Sequence, residues 1–274
     1  MLTPSAAAAP VRLAAERGRG WAVEEFGEER LRALIDADEC PDPAAVLKKR
    51  GNTAVVLRGE MALASGQTSV CWKRIRRKTA LKRLATAVRT RRTVLTYVYA
   101  VRLREAGVET PRPLACTAPL RWQVDRPAWL LTEWIDDTED LAVARARLAD
   151  RPAAERLRIA GRYAAAVGRT LGTLHAAGAS HRDLKPNNVL VSLLSPEEAA
   201  AGATEPRAWV IDLDAVTFPG VLTDRRRRRD LARLLRGLPD VPRTARVRFL
   251  RAYSLASGQD RRADWRALVD SSTR

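Results

Sequence analysis

The sequence predicts an α+β fold of two unequal lobes, and three observations carry that reading. Short β-branched and aromatic runs fall mainly in the first half of the chain and long helical patterns in the second, an order that segregates strands from helices. The chain has 274 residues, 46% of them hydrophobic, enough to build a core in one large domain or in two lobes. No internal repeat or long low-complexity tract interrupts it, which excludes collagen, coiled coil and wholesale disorder.

The elements follow in order. Residues 1–46 begin loosely and then read as helical around Trp21 to Ile35. Ala54 to Leu57 and Ser69 to Ile75 are β-branched runs separated by glycines, the pattern of a hairpin or small antiparallel sheet. Lys78 to Glu105 reads as a helix, closed by Gly107 and then by Pro111 and Pro113. Pro127 to Ile135 reads as a further strand. From Asp140 onward the pattern is mostly helical, clearest over Arg156 to Ala177, and two short apolar runs break it, Val189 to Leu194 and Trp209 to Val216.

Composition narrows the class of function. The 49 basic residues outnumber 32 acidic ones for a formal charge of +17, and only six of them are lysine. So arginine-rich and alanine-rich a chain reflects a GC-rich genome as readily as a binding surface, yet the field it creates draws anionic partners. No stretch reaches the ~18 uninterrupted apolar residues of a membrane span, so a soluble cytoplasmic protein is expected. Three cysteines (Cys40, Cys71, Cys116) lie far apart, without the spacing of a zinc site or the density of a disulfide scaffold, and read as ordinary thiols. The charge comes without an RNA-recognition motif or zinc finger, so no nucleic-acid partner is expected.

The chemistry concentrates between His181 and Asp214. Residues 181–191 read HRDLKPNNVLV and follow a helix ending LHAAG at Gly178. This ordered series, at a helix-to-strand junction, resembles the catalytic loop of the protein-kinase-like fold. Phosphoryl transfer needs a carboxylate beside the attacking hydroxyl and hard oxygen ligands for magnesium. Asp183 therefore reads as the base or orienting residue and Asn188, five residues on, as a metal ligand. Lys185 either neutralises charge on the transferred group or is a solvated loop lysine. His181 and Arg182 read as braces of the loop and stay outside the chemistry, as does His175.

The resemblance extends along the chain. In WVIDLDAV (residues 209–216), Asp212 takes the place of the metal-binding Asp of the DFG motif, with Leu213 for Phe and Asp214 for Gly. Asp214 is either a second acidic group near the metal or a turn residue. Upstream, Lys73 in SVCWKRIR stands where the fold places the strand lysine that grips the α- and β-phosphates. LLTEWID (130–136) resembles the hinge, with backbone groups of Glu133 and Ile135 for adenine and Thr132 at the back of the pocket. Two family pieces are altered. No GxGxxG run precedes Lys73, only Gly51, Gly59 and Gly66, and Arg91 to Leu103 contains no acid to pair with it. Either another group holds Lys73 or its assignment is wrong.

Downstream, RRRRRDLARLL (225–235) resembles the helix whose aspartate, Asp230, anchors the catalytic loop from below. It follows Asp212 by only 18 residues, with no APE motif between them. Peptide kinases use a longer segment there as a substrate platform, so a compact, non-peptide acceptor is favoured. RRDLARLLRGLP and VRFLRAY, with LREAGVETPRPLA, LLTEWI and VIDLD, resemble the bacterial lipopolysaccharide kinase family over roughly residues 47–270. That resemblance implies a kinase-like fold with an N-terminal extension (1–46), a small antiparallel-sheet N-lobe (47–134) and a shortened helical C-lobe (135–274). It also implies ATP and Mg2+ as cofactors, with Lys73, Glu133, Ile135, Asn188 and Asp212 binding them and Asp183 and Lys185 catalytic. The implied acceptor is an anionic Kdo- or heptose-containing glycolipid, met at the cytoplasmic face of the inner membrane with possible peripheral contact. The five arginines 225–229 either bind the acceptor's carboxylates and phosphates or form a solvated helix start. HRDLKPNN also suits a serine/threonine protein kinase, and the missing glycine loop and helix acid suit a nucleotide-binding pseudokinase.

Overall fold

The computed structural model describes residues 11–40, 44–50, 54–75, 83–120, 123, 126–194, 198 and 204–258. The chain divides into two compact units, Met1–Arg102 with Pro111–Asp136, and Leu103–Thr110 with Asp137–Arg274. Gly51, the expected helix start at Lys78, and everything after Gly258 lie outside the described residues.

The first unit is built on a seven-stranded antiparallel sheet. In chain order its strands are β1 (Val11–Ala15), β2 (Gly18–Ala22), β3 (Ala44–Arg50), β4 (Ala54–Leu63), β5 (Gly66–Ile75), β6 (Pro113–Pro119) and β7 (Ala128–Glu133), and in space they run β1-β2-β6-β7-β5-β4-β3. The hairpin read from the glycine-separated runs is β4–β5, paired from Ala54↔Ile75 to Leu63↔Gly66. One face carries the core. Trp72 and Trp129 are fully buried and meet edge to face with ring centroids 6.0 Å apart, beside Leu57, Val70, Leu114 and Leu131.

The amino-terminal stretch differs from its sequence reading. Trp21 sits in β2, paired with Cys116 of β6, and the helix there, α1, is shorter (Glu28–Asp36). The physical reason is the Gly18-x-Gly20 pair, which is poor in a helix but suits a strand with another element pressed on it. A Cβ on Gly20 would lie 2.6 Å from Leu31 Cδ1, so glycine lets α1 lay Leu31, Leu34 and Ile35 directly on the sheet. Where sequence sets 1–46 apart as an extension, residues 11–36 supply two strands and a helix to the sheet layer. A long helix, α2 (Arg83–Glu105), packs Tyr97 against Cys116 and Leu130.

The second unit is mainly helical: α3 (Leu141–Ala149), α4 (Ala153–Ala176), α5 (Asp224–Arg236) and α6 (Arg243–Ser257). The expected helices over 156–177 and 225–235 are α4 and α5. Gly168 and Gly172 bring α4 and α6 together, since a Cβ at either would fall 2.4 and 2.6 Å from the Phe249 and Tyr253 carbonyl oxygens. The short strands are β8 (Thr138–Asp140), β9 (Ser180–His181), β10 (Val189–Ser192), β11 (Ala208–Val210) and β12 (Val216–Thr217). They form one sheet ordered β11-β10-β8 and a two-stranded β12-β9 pair. The link after α2 joins this unit: Thr110 Oγ1 donates to the Val210 carbonyl at 2.7 Å, and Val210 N–H to the Glu109 carbonyl at 3.0 Å.

Candidate active site

The loop between β9 and β10 brings three of the sequence-selected residues together. Gly178, at φ 76°, ends α4 and turns the chain into β9. After His181 the backbone turns, and a single 3-10 turn (Pro186–Asn188) returns it into β10. Asp183 Oδ2 accepts from Lys185 Nζ at 2.8 Å and from Asn188 Nδ2 at 3.3 Å, and the same Nδ2 donates to the Asp183 carbonyl at 2.8 Å. The hydrogen bond from Lys185 comes first among the causes that hold the Asp183 carboxyl below its ordinary range, so it is ionised at neutral pH. About half of the Asp183 side chain remains exposed, leaving its other oxygen to an incoming hydroxyl. With its Nδ2 engaged inward, Asn188 turns Oδ1 away from Asp183, and an amide oxygen beside a carboxylate is the hard donor set magnesium takes.

His181 braces this loop. It is fully buried, and burial lowers its pKa, so the ring is neutral. The hydrogen-bond network assigns the proton to Nε2, which donates to the Ile211 carbonyl at 3.2 Å, while Nδ1 accepts from the Asp183 N–H at 3.3 Å. From below, Asp230 of α5 holds β9. Its Oδ2 accepts from Ser180 Oγ at 2.6 Å and from the His181 N–H at 2.9 Å, and its Oδ1 from Arg233 at 3.1 Å. Buried His175 lies behind, with Nδ1 2.6 Å from the Tyr253 hydroxyl.

Asp212 follows β11 in a left-handed conformation, φ 57° and ψ 55°, which a non-glycine residue adopts at a cost and which clusters at functional sites. The preceding residue, Ile211, donates its N–H to the Asn188 carbonyl at 3.0 Å, and the Arg182 N–H donates to the Ala215 carbonyl at 3.2 Å. These bonds and the β9–β12 pairing join the segment bearing Asp212 to the loop bearing Asp183 and Asn188. Asp214 is the middle residue of the one-turn 3-10 helix Leu213–Ala215 and is half-buried.

The remaining selected residues are in the first unit, on neighbouring strands. Lys73 is half-buried on β5 opposite Leu130 of β7, and Glu133 ends β7 opposite Val70. Cys71, two residues before Lys73 on the same face, has its thiol pKa raised by burial, with Lys73 acting in the opposite sense. The Glu133 N–H donates to the Arg112 carbonyl at 2.8 Å and the Trp134 N–H to the Ser69 carbonyl at 2.9 Å, which fix the chain as it enters Ile135. Within α2 the sole acid is Glu105, exposed at the last position, so the helix acid absent from the sequence has no substitute there.

One position that sequence reading missed supports the site. Asp140 caps α3, accepting from the Ala142 and Val143 N–H groups at 3.0 Å, and its other oxygen accepts from Asn187 at 3.2 Å. The signal was an aspartate directly before an apolar helical run. Arg227, read only as one of five arginines, is buried while Arg225, Arg226, Arg228 and Arg229 are exposed.

Among solved structures the chain is similar to WaaP in complex with acyl carrier protein, with a TM-score of 0.57 and 25% identity over 85% of this chain and 87% of that one. It is also similar to the BubR1 kinase domain, with a TM-score of 0.46 and 13% identity over 78% of this chain and 52% of that one. No curated protein matches. The model of the lipopolysaccharide kinase (Kdo/WaaP) family matches residues 45–268, from β3 through the catalytic loop and past α6, and a match of that extent makes this chain a member of the family.

Proposed function

We propose that this lipopolysaccharide kinase transfers the γ-phosphoryl group of ATP to a sugar hydroxyl of a lipopolysaccharide-core glycolipid, with Asp183 as the residue that meets that hydroxyl. The observation that carries the reading is the Asp183–Lys185–Asn188 cluster, joined by backbone hydrogen bonds to the segment of Asp212. Asp183 accepts the acceptor hydroxyl and aligns it for in-line attack. Because its pKa lies below the ordinary carboxylate range, it orients first and takes the proton only as the oxygen–phosphorus bond forms. Lys185, paired with Asp183, balances charge beside the transferred group. Asn188 Oδ1 and the Asp212 carboxylate hold Mg2+, which when bound with ATP draws charge from the phosphate oxygens. Lys73 grips the α- and β-phosphates, and backbone groups of Glu133 and Ile135 receive the adenine.

Partner and location extend the same reading. No helix among the described residues is long and apolar enough to cross a membrane. A net charge of +17 favours peripheral contact with the anionic cytoplasmic face of the inner membrane, where the acceptor resides. Since WaaP is seen with acyl carrier protein, a protein of that kind is the partner we carry over. The second unit has a cavity of about 480 Å³ lined by apolar side chains including Leu148, Val167, Leu234, Leu238 and Phe249, suited to an acyl chain.

Turnover tests the assignment. Purified protein with Mg2+ and ATP is offered Kdo-lipid A, heptosylated core and a generic basic protein. Transfer to a glycolipid that falls by about 10²–10⁴ in Asp183→Ala, with ATP binding retained, is the expected result. Labelling of the protein substrate alone would install the protein-kinase reading, and ATP binding without turnover the pseudokinase.

A further inference from the structure

The five-arginine run at the start of α5 is divided by burial. Arg227 keeps only 9% of its surface, and within it Nε and Nη1 have neither solvent nor a hydrogen-bond partner. A guanidinium does not shed its proton, so this side chain carries a full charge and unmet donors into the interior, an arrangement that an anion completes. Two acids of the helix lie three residues from it, Asp224 and Asp230, and the oxygens of buried Asp230 are committed to Ser180, the His181 N–H and Arg233. The helix start adds to the demand. Thr223 at the N-cap makes no side-chain hydrogen bond, and the amino end of this 13-residue helix carries partial positive charge. Asp224, the one acid in the first turn, is exposed.

We propose that Arg227, with the first turn of α5, binds an oxyanion (a phosphate or carboxylate) of the acceptor. Assigning the anion to the acceptor rests on the kinase reading above; the anion site itself does not. An oxygen of such a group at the Nε–H edge takes up one of the two unmet donors, and the adjacent Nη2–H can complete a side-on pair with a second oxygen. Arg227 lies one turn before Asp230, which holds the His181 backbone, so one helix secures both the catalytic loop and the acceptor's second anionic group. Arg227 is thus a positioning residue, and it selects acceptors with a second oxyanion over neutral sugars. The exposed arginines 225, 226, 228 and 229 contribute general attraction without a fork of their own.

The test uses the full chain and inorganic phosphate as probe, with a non-hydrolysable ATP analogue and Mg2+ present throughout. Thermal unfolding is followed for wild type, Arg227→Met, Arg227→Lys and Arg243→Met, the last removing the same charge from an exposed site at another helix start. Phosphate is expected to raise the midpoint of wild type and Arg243→Met, to do so weakly for Arg227→Lys, and to leave Arg227→Met unmoved. Without phosphate, Arg227→Met should unfold at a higher temperature than wild type, because an unpaired buried charge is gone. A lower midpoint, failure of Arg227→Met to fold, or an equal phosphate response in Arg227→Met and wild type overturns the proposal. In turnover, Arg227→Met should raise the KM for a phosphorylated glycolipid about tenfold with the KM for ATP unchanged. Absence of glycolipid turnover by wild type would count against the kinase reading while the phosphate result still judged the anion site.

Discussion

The two units hold their chemical groups in different ways. In the second, Asp183, Asn188 and His181 are fixed by charged and polar side chains, with Asp230 beneath them at 1% exposure and hydrogen-bonded on both oxygens. In the first, Lys73 holds its place through strand register, between Val56 of β4 and Leu130 of β7, and acts on the Cys71 thiol two residues away. A site built on a buried network ties activity to stability, because each removal strands a partner. A site built on register allows the side chain to change with little effect on the fold.

Asp230→Ala should show the largest effect. It leaves Ser180, the His181 N–H and Arg233 without their acceptor, so stability should fall by about 3–5 kcal/mol and turnover should vanish with it, read by denaturant unfolding beside the kinase assay. Full activity in a destabilised variant would break the comparison. Lys73→Met keeps the aliphatic stem and the strand pairing. Turnover should drop about 10²–10³-fold while unfolding shifts by less than about 1 kcal/mol. A large stability loss there would show that the first unit, too, depends on a network.

The pH profile sharpens the contrast further. The Asp183 pKa is depressed, so its ionised form persists as pH falls through the ordinary carboxylate range and is lost only below it. The acid limb of kcat should therefore lie lower than for a free aspartate, and Lys185→Ala, which removes the hydrogen bond that does most to depress it, should move that limb upward. The smallest effect expected is at the rim of the loop. Asp140→Ala removes the α3 cap and the Asn187 contact, costing about 1 kcal/mol and leaving the KM for ATP unchanged.

How much could be read without the fold follows from the same division. Asp183, Lys185 and Asn188 touch within five residues of one another, so their spacing in the chain is nearly their geometry. Asp230 was legible through the resemblance of RRRRRDLARLL to the helix that anchors the catalytic loop in the kinase fold. The sheet is another matter: β2 meets β6 across some ninety residues, and the residue types of neither strand show a clean apolar–polar alternation. β6 is buried at all seven positions and three of the five residues of β2 are glycine or arginine, so periodicity misled at Trp21. The burial of Arg227 among four exposed arginines depends on which face of α5 turns inward, and a run of identical residues hides that face.

The stretch from Asp212 to Asp230 is short and fastened at both ends. Ala215 and β12 fix its beginning to the catalytic loop, and the Asp230 carboxylate fixes its end to β9. Between β12 and α5 only residues 218–223 run outside regular structure. A strap of that length has no slack to fold across a substrate and swing away again. The strap therefore acts as a brace within the second unit rather than as a moving cover.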